Sequence, residues 1–395
     1  MDNQCIFLTA SLFFLLLMGC TTRNESESAK TLYSDKKISF GIDTLTIKLN
    51  KELNFDYPYS SRFFDGSETY FVGYNSGLHK LDFFSLEGLK YSFSTILEKD
   101  GPNGMDDPWD FFIQSLDSIY YLGKDSKLTL LDTSGKVLSV FKLEDPMGNY
   151  GYKANPITFK IFLNQEKNKM YLNSYSFSHL PNNHAYFKEP FVSFIDLRNS
   201  DMDTIPIQFP KIYLETDKIL GEYMEPNVIF VDNRIIYSFP ADPSIYTYNL
   251  TTKEKEVFGG ESLNSKNSIE YMAPDDYHDI QKRIIHQIEN TYFYNVVHDP
   301  FRKLFYRIHS GGVSFQIDED DINSVFEKPI FLTVFDENFN ILQEMELPSK
   351  TYNALSMFVT KSGLHLPFSH YLNQDVDEGK LVFHVYKFEM ENTNP

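Results

Sequence analysis

The stretch that decides the fold is DGPNGMDDPWDFFIQSLDSIYYLGKDSKLTLLDTSGKVLSVFKL, residues 100–143. Turn-forming Gly, Pro, Asn, Asp and Ser residues divide it into four apolar or alternating segments, at residues 109–116, 119–122, 127–132 and 137–143. Segments of about four to eight such residues between turn signals are typical of strands. Four antiparallel strands joined by tight turns within about 45 residues predict one blade of a β-propeller.

The third of these segments contains LTLLD, residues 128–132, and this pattern recurs along the chain. Similar runs lie at residues 79–83, 192–196, 245–249, 332–336 and 383–387. Every copy but the last precedes another strand-like segment, at residues 90–97, 137–143, 202–209, 254–258 and 341–347. Six copies predict six blades.

The last copy has no strand after it, whereas DTLTIKL at residues 43–49 is a strand-like segment with no partner before it. We expect this segment to complete the last blade, because closure removes the exposed edges of an open array. The predicted fold is therefore all-β: a six-bladed β-propeller closed by the N-terminal strand. An aromatic content of 16% agrees with this, since aromatic residues favour strands.

Three longer segments interrupt the repeats, at residues 177–190, 273–290 and 311–328. The second predicts one inserted helix: it begins with Pro274 and acidic residues and has apolar residues at helical spacing, namely Tyr277, Ile280, Ile284 and Ile288. We interpret the other two as loops. Loops at the rim of a propeller vary without disturbing the sheets, and binding specificity is expected there.

The N-terminal region predicts export and lipidation. The apolar run at residues 6–18 is shorter than the roughly 20 residues of a membrane span, as in a secretory signal. Residues 17–20, Leu-Met-Gly-Cys, resemble the lipobox of bacterial lipoproteins, whose Cys is acylated and becomes the new N-terminus. We expect a signal peptide at 1–19, a lipidated flexible tether at 20–37 and a single propeller domain at 38–395, with Cys20 as the lipidated residue. The alternative is a signal sequence with an incidental Cys.

Cysteine usage agrees with lipidation. The chain has only Cys5 and Cys20, so cleavage before Cys20 leaves no second thiol for a disulfide or a cysteine metal site. The expected partner is then the membrane itself, through the lipid anchor.

The chain resembles the six-bladed, TolB-like β-propeller lipoproteins of Bacteroidetes, including a family catalogued as a domain of unknown function. The resemblance rests on the lipobox, the six repeats and the Gly-Pro-Asn-Gly turn at residues 101–104. Related propellers often have Gly-Pro-Gly-Glu at this turn. The resemblance implies a lipoprotein of the cell envelope anchored in the outer membrane, with the periplasmic or surface face left open. It implies no specific chemistry.

Net charge excludes one class of partner. Lys and Arg total 36 against 55 Asp and Glu, which gives a formal charge of −19. A chain this acidic repels phosphate backbones, so no nucleic-acid partner is expected.

The sequence lacks recognisable motifs for catalysis, phosphate binding and metal binding. There is no Gly-x-Ser-x-Gly elbow or phosphate-binding loop. The acidic residues 318–321 do not fit an EF-hand, because Ile322 and Pro329 stand at ligand positions. His278 and His286 are eight residues apart, too far for a zinc pair on one helix. We therefore predict no catalytic residue, metal site or cofactor.

Polar and aromatic residues that lead into the innermost strands of the first two blades are the candidate binding residues at the channel mouth: Tyr59, Arg62, Asn103, Asp107 and Trp109. Arg supplies charged hydrogen bonds and Trp a flat apolar face. The alternative places Trp109 in the core and Arg62 in an internal ion pair.

Two functions follow from this. The first is a lipid-anchored binding or interaction module for an unknown protein, peptide or glycan. The alternative is a calcium-dependent lactonase-like or glycan-cleaving hydrolase that uses the propeller channel. The fold alone does not separate them.

Overall fold

Six antiparallel sheets make up the computed structural model, which describes residues 29–144, 148, 150–179, 183–215, 218–319 and 321–391. They are the blades of a six-bladed β-propeller, as predicted. The predicted signal peptide and Cys20 lie outside the described residues. No helix in the described ranges has the length and hydropathy needed to cross a membrane.

Each blade is built from strands that follow one another in the chain, apart from the last blade, which also contains β1 (Ile38–Lys48). Blade one has β2 (Ser60–Phe64), β3 (Thr69–Asn75), β4 (Lys80–Ser85) and β5 (Lys90–Ile96). Blade two has β6 (Pro108–Ser115), β7 (Ser118–Gly123), β8 (Lys127–Leu131) and β9 (Val137–Lys142). Blade three has β10 (Tyr150–Lys153), β11 (Phe162–Asn164), β12 (Lys169–Ser176), β13 (Val192–Asp196) and β14 (Met202–Ile205).

The remaining blades follow the same plan. Blade four has β15 (Asn227–Val231), β16 (Arg234–Phe239), β17 (Asp242–Asn249) and β18 (Lys255–Phe258). Blade five has β19 (Tyr292–Asp299), β20 (Leu304–Ser310), β21 (Ile330–Phe335) and β22 (Ile341–Glu346). Blade six has β23 (Phe358–Thr360), β24 (Gly363–Pro367) and β25 (Lys380–Met390), with β1 as its outermost strand.

The recurring sequence pattern marks the third strand of every blade. In the structure these strands are β4, β8, β13, β17, β21 and β25. They are easy to recognise because neighbouring blades cover both of their faces; all six residues of β4, for example, are buried. Such strands keep apolar residues at most positions.

Closure by the N-terminal strand is confirmed. β1 pairs antiparallel with β25 from Ile38 opposite Met390 to Lys48 opposite Lys380, a longer pairing than residues 43–49 predicted. Before β1, the Ile341 N–H donates to the Leu32 carbonyl at 2.8 Å and the Ser34 N–H donates to the Ile341 carbonyl at 2.9 Å. The N-terminal segment therefore joins blade six to the outer strand of blade five.

The inserted helix is shorter than predicted. A 3₁₀ turn covers Pro274–His278, and the α-helix α1 is Ile280–Glu289. Asp279 separates the two because its side chain accepts a hydrogen bond from the Lys282 N–H at 3.1 Å, as an N-cap residue does. Further 3₁₀ turns lie at Tyr186–Lys188, Lys211–Leu214, Val325–Glu327 and Ala354–Ser356.

Two isoleucines of β1 test the structural role of the closing strand. Ile47 is 0% exposed, whereas Ile42 on the same strand is 50% exposed. Ile47→Ala should lower the free energy of unfolding by about 2–4 kcal/mol, since it leaves a cavity between blades six and one. Ile42→Ala, the matched control, should cost less than about 1 kcal/mol. Urea unfolding of both variants measures this. Equal losses would contradict a structural role for the closing strand.

Candidate functional site

A cavity of about 540 Å³ lies within the ring of blades. Its wall takes residues from the innermost strand or inner edge of every blade: β2, β6, β15 and β19, together with the chain around β11 and β23. Since all six blades contribute, the cavity lies in the central channel. Its volume is in the range of small-molecule sites, about 300–1,000 Å³.

Blade three has an irregular inner edge at this channel. Its inner edge is broken: β10 and β11 both pair with β12, and the residues between them leave the sheet. We call residues 155–161 the crossing segment. It begins with a tight turn in which the Asn155 side chain accepts from the Ile157 N–H at 2.9 Å. Phe159 then pairs with Val228 in blade four.

The crossing segment contacts three more blades, of which blades one and five are not neighbours of blade three. Asn295 of blade five donates its Nδ2–H to the Ile157 carbonyl at 3.3 Å and to the Thr158 carbonyl at 3.2 Å. The Ile161 N–H donates to Asp110 Oδ2 of blade two at 2.8 Å. Lys160 Nζ donates to the Ser60 carbonyl of blade one. The segment therefore contacts blades on both sides of the channel and forms part of the cavity wall.

Two cations lie on the wall, Arg62 from β2 and Lys160 from the crossing segment. Both retain exposed surface although protein surrounds them, as expected of side chains that face a lumen. Desolvation lowers the pKa of both groups. The positive charge of Arg62 lowers the pKa of Lys160 further, while Asp110 opposes this. Arg62 makes no side-chain hydrogen bond or ion pair with any residue that the structure describes.

Carboxylates are missing from the described wall. The chain has 55 Asp and Glu residues, yet none of the described residues that line the cavity is Asp or Glu. Asp110 lies behind the wall, fully buried, and its Oδ1 atom has no hydrogen-bond partner. Desolvation raises the pKa of Asp110 to about 6, against the opposing effects of Lys160 and the Ile161 N–H. The described wall therefore carries two cationic side chains and no carboxylate.

Aromatic rings form much of the remaining wall. Phe162 and Phe230 stack with ring centroids 4.7 Å apart and an angle of 3° between the rings. Phe112 meets Phe162 edge-on at 6.3 Å. Phe64, on β2 beyond Arg62, is 61% exposed. The wall thus presents flat apolar surfaces in the same cavity as the two cations.

Of the five predicted channel-mouth residues, Arg62 alone is on the cavity wall. Tyr59 packs edge-on against Tyr74 at 6.3 Å, and the Tyr74 hydroxyl donates to Asp107 at 2.7 Å. Trp109 packs against the core between blades two and three. Asn103 is exposed in its turn. A binding role for Tyr59, Asn103, Asp107 and Trp109 stays a prediction.

Sequence reasoning missed Lys160 and Asp110. Both had a visible signal, since each is a single charged residue inside an aromatic strand-like run, Phe-Lys-Ile-Phe at residues 159–162 and Trp-Asp-Phe-Phe at residues 109–112. A charge at such a position must meet a partner or a lumen.

In the described part of the chain, no group of three or more His, Cys, Asp or Glu side chains is placed to hold a metal ion. The calcium-dependent hydrolase stays a prediction.

Comparison with known proteins identifies the family. Residues 32–346 match the model of a family described as a domain of unknown function, DUF4221. The chain belongs to the DUF4221 family. This confirms the expected resemblance to propellers catalogued without a function. No curated protein matches the chain.

Solved structures agree with the DUF4221 fold. A crystal structure of a DUF4221 family member from Bacteroides vulgatus has a TM-score of 0.79 and 18% identity, covering 91% of this chain and 100% of its own. A protein from Bacteroides fragilis has a TM-score of 0.53 and 10% identity, covering 92% of this chain and 99% of its own. At these identities the likeness shows the fold alone.

Asp110 should make stability depend on pH. Its pKa in the folded protein is about 6, above the usual 3.8, so its stabilising contribution is complete below about pH 4 and is lost as the pH rises through 6. The loss amounts to about 3 kcal/mol. Asp110→Asn should remove this part of the pH dependence, because an amide can still accept from the Ile161 N–H and does not ionise.

Urea unfolding between about pH 4 and about pH 7 measures the effect. The matched control is Asp117→Asn, at an exposed turn of the same blade. The assignment is wrong if wild type and Asp110→Asn lose equal stability over this interval.

Proposed function

We propose that this DUF4221 chain is a binding module of the bacterial cell envelope that holds a small organic ligand in its central channel. The observation that carries the proposal is the cavity of about 540 Å³, lined by all six blades. Most proteins have few cavities of this size, and those that bind ligands combine apolar walls with a small number of polar groups.

The wall has this composition. Aromatic and aliphatic residues predominate, and polar side chains such as Gln114, Gln165 and Asn295 lie between them. Asn295 already donates to the crossing segment and so supports the wall. Gln114 lies on strand β6, and a side chain carried by a rigid strand lowers the entropy lost when a ligand is bound. The protein, peptide or glycan partner expected from the sequence stays a prediction.

Blocking the channel tests the proposal. Gln114 lies on the wall with an exposed side chain, so Gln114→Trp should fill the lumen without disturbing the core. The fluorescent probe 8-anilinonaphthalene-1-sulfonate should bind wild type with one site per chain. Gln114→Trp should weaken this binding at least about tenfold, a loss of about 1.4 kcal/mol.

Ser139→Trp is the matched control, because Ser139 is exposed on β9, the outer strand of the same blade. It should leave the affinity for the probe unchanged. If the probe binds Gln114→Trp as it binds wild type, it does not occupy the channel and the proposal fails.

We also propose that Cys20 carries the lipid that holds the module on the membrane. The lipobox-like residues 17–20 support this, as does the apolar run before them. Several acyl chains on one residue give durable anchoring, since each buried methylene contributes about 0.8 kcal/mol.

Metabolic labelling with an alkyne analogue of palmitate tests the anchor. Wild type and Cys5→Ser should incorporate the label and fractionate with membranes, whereas Cys20→Ala should do neither. An unlabelled wild type, or Cys20→Ala that stays with the membrane, would contradict lipidation at this residue.

A further inference from the structure

We infer that the channel ligand is an amphipathic organic anion, with one anionic group between Arg62 and Lys160 and a flat apolar body against the phenylalanines of the wall. This rests on the proposed function, because it names the chemical class of the ligand that the channel holds.

Charge distribution is the first reason. The chain carries a formal charge of −19, yet its described cavity wall has two cations and no carboxylate. Coulomb interactions are stronger in a channel walled by protein than in water, so an anion that enters is attracted more strongly than at an open surface. The net negative charge of the chain repels such an anion at long range, so we expect the attraction to act only inside the channel.

Arg62 is the second reason. An arginine stays protonated in proteins, and Arg62 keeps exposed surface towards the cavity, where its donors can meet a ligand. Arg62 has no hydrogen-bond or ion-pair partner among the described residues, although the charge of Asp299 raises its pKa against the larger effect of desolvation. Its planar fork of N–H donors matches a carboxylate, sulfonate or phosphate, which would supply the missing partner.

Lys160 adds a second donor. One N–H of its ammonium group is used by the Ser60 carbonyl, so two of its three donors are available. Asp110, behind the wall, offsets part of its charge. Arg62 and Lys160 therefore both present N–H donors to the same cavity, where an anionic group can accept from them.

The aromatic wall is the third reason. The stacked pair Phe162 and Phe230, with Phe112 against it, lines the same cavity as the cations. Burial of an apolar body there contributes about 25 cal/mol per Å² and favours a flat ring system, which can lie against the phenyl rings. An inorganic anion would leave the exposed parts of these half-buried rings uncovered.

The experiment compares two probes of nearly equal shape, 2-naphthalenesulfonate and neutral 2-naphthalenesulfonamide, by isothermal titration calorimetry at pH 7.5. Wild type should bind the sulfonate about 10- to 100-fold more tightly, the range expected for hydrogen bonds to a charged group. Methanesulfonate, which has the charge and no ring, should bind at least tenfold more weakly than the naphthalene compound.

Variants connect the preference to the two cations. Arg62→Gln and Lys160→Met should each lose most of the preference for the sulfonate while their affinity for the sulfonamide stays within about twofold. Arg62→Lys keeps the charge and should retain part of the preference. Lys136→Gln, at an exposed turn, is the control and should behave as wild type.

The outcomes separate this inference from the proposed function. If both naphthalene probes bind equally and Gln114→Trp blocks both, the channel binds ligands but the anion assignment is overturned. If methanesulfonate binds as tightly as the naphthalene sulfonate, the apolar part is overturned. If neither probe responds to Gln114→Trp, the inference and the proposed function both fail.

Discussion

The pairing of β1 with β25 is the interaction on which the rest of the structure depends. It joins the two ends of the described chain over the full length of both strands, from Ile38 opposite Met390 to Lys48 opposite Lys380. Without it, blade six would have three strands and an open outer edge, and the ring would have a free end. A closed ring fixes the spacing of the innermost strands, and that spacing sets the size of the channel.

Within the ring, the crossing segment forms part of the channel wall and adds polar groups to it. Because β10 and β11 are interrupted, residues 155–161 reach Asp110 in blade two, Val228 in blade four and Asn295 in blade five. These contacts also bring Lys160 to the wall occupied by Arg62. This departure from the regular blade therefore places a cationic side chain on the cavity wall. Irregular segments held by a rigid scaffold often carry functional residues.

Much of the architecture was predictable from the sequence, for physical reasons that differ between strands. The third strands of the blades, such as β4, are covered on both faces. Their apolar residues therefore form a similar pattern in each blade. The closing strand was predictable because the last repeat lacked an outer strand and the strand-like segment at residues 43–49 lacked a partner. The extent of α1 was not, since the capping interaction of Asp279 depends on a local hydrogen bond that competes with helix continuation.

The site was predictable only in part. Arg62 was found because it lies next to the start of an innermost strand. Lys160 contacts Ser60, which is a hundred residues earlier in the chain, and that contact depends on how blade three is interrupted. No local pattern encodes such a contact. Trp109 was predicted at the channel mouth for its flat apolar face, but it packs against the core between blades two and three.

A crystal structure with 6-bromo-2-naphthalenesulfonate, analysed by the anomalous scattering of bromine, shows whether the channel binds an amphipathic anion. We expect one bromine peak per chain inside the channel beside the aromatic wall, with the sulfonate within hydrogen-bonding distance of Arg62 and Lys160. Bromine peaks confined to the outer faces of the blades, with the channel free of the compound, would contradict it.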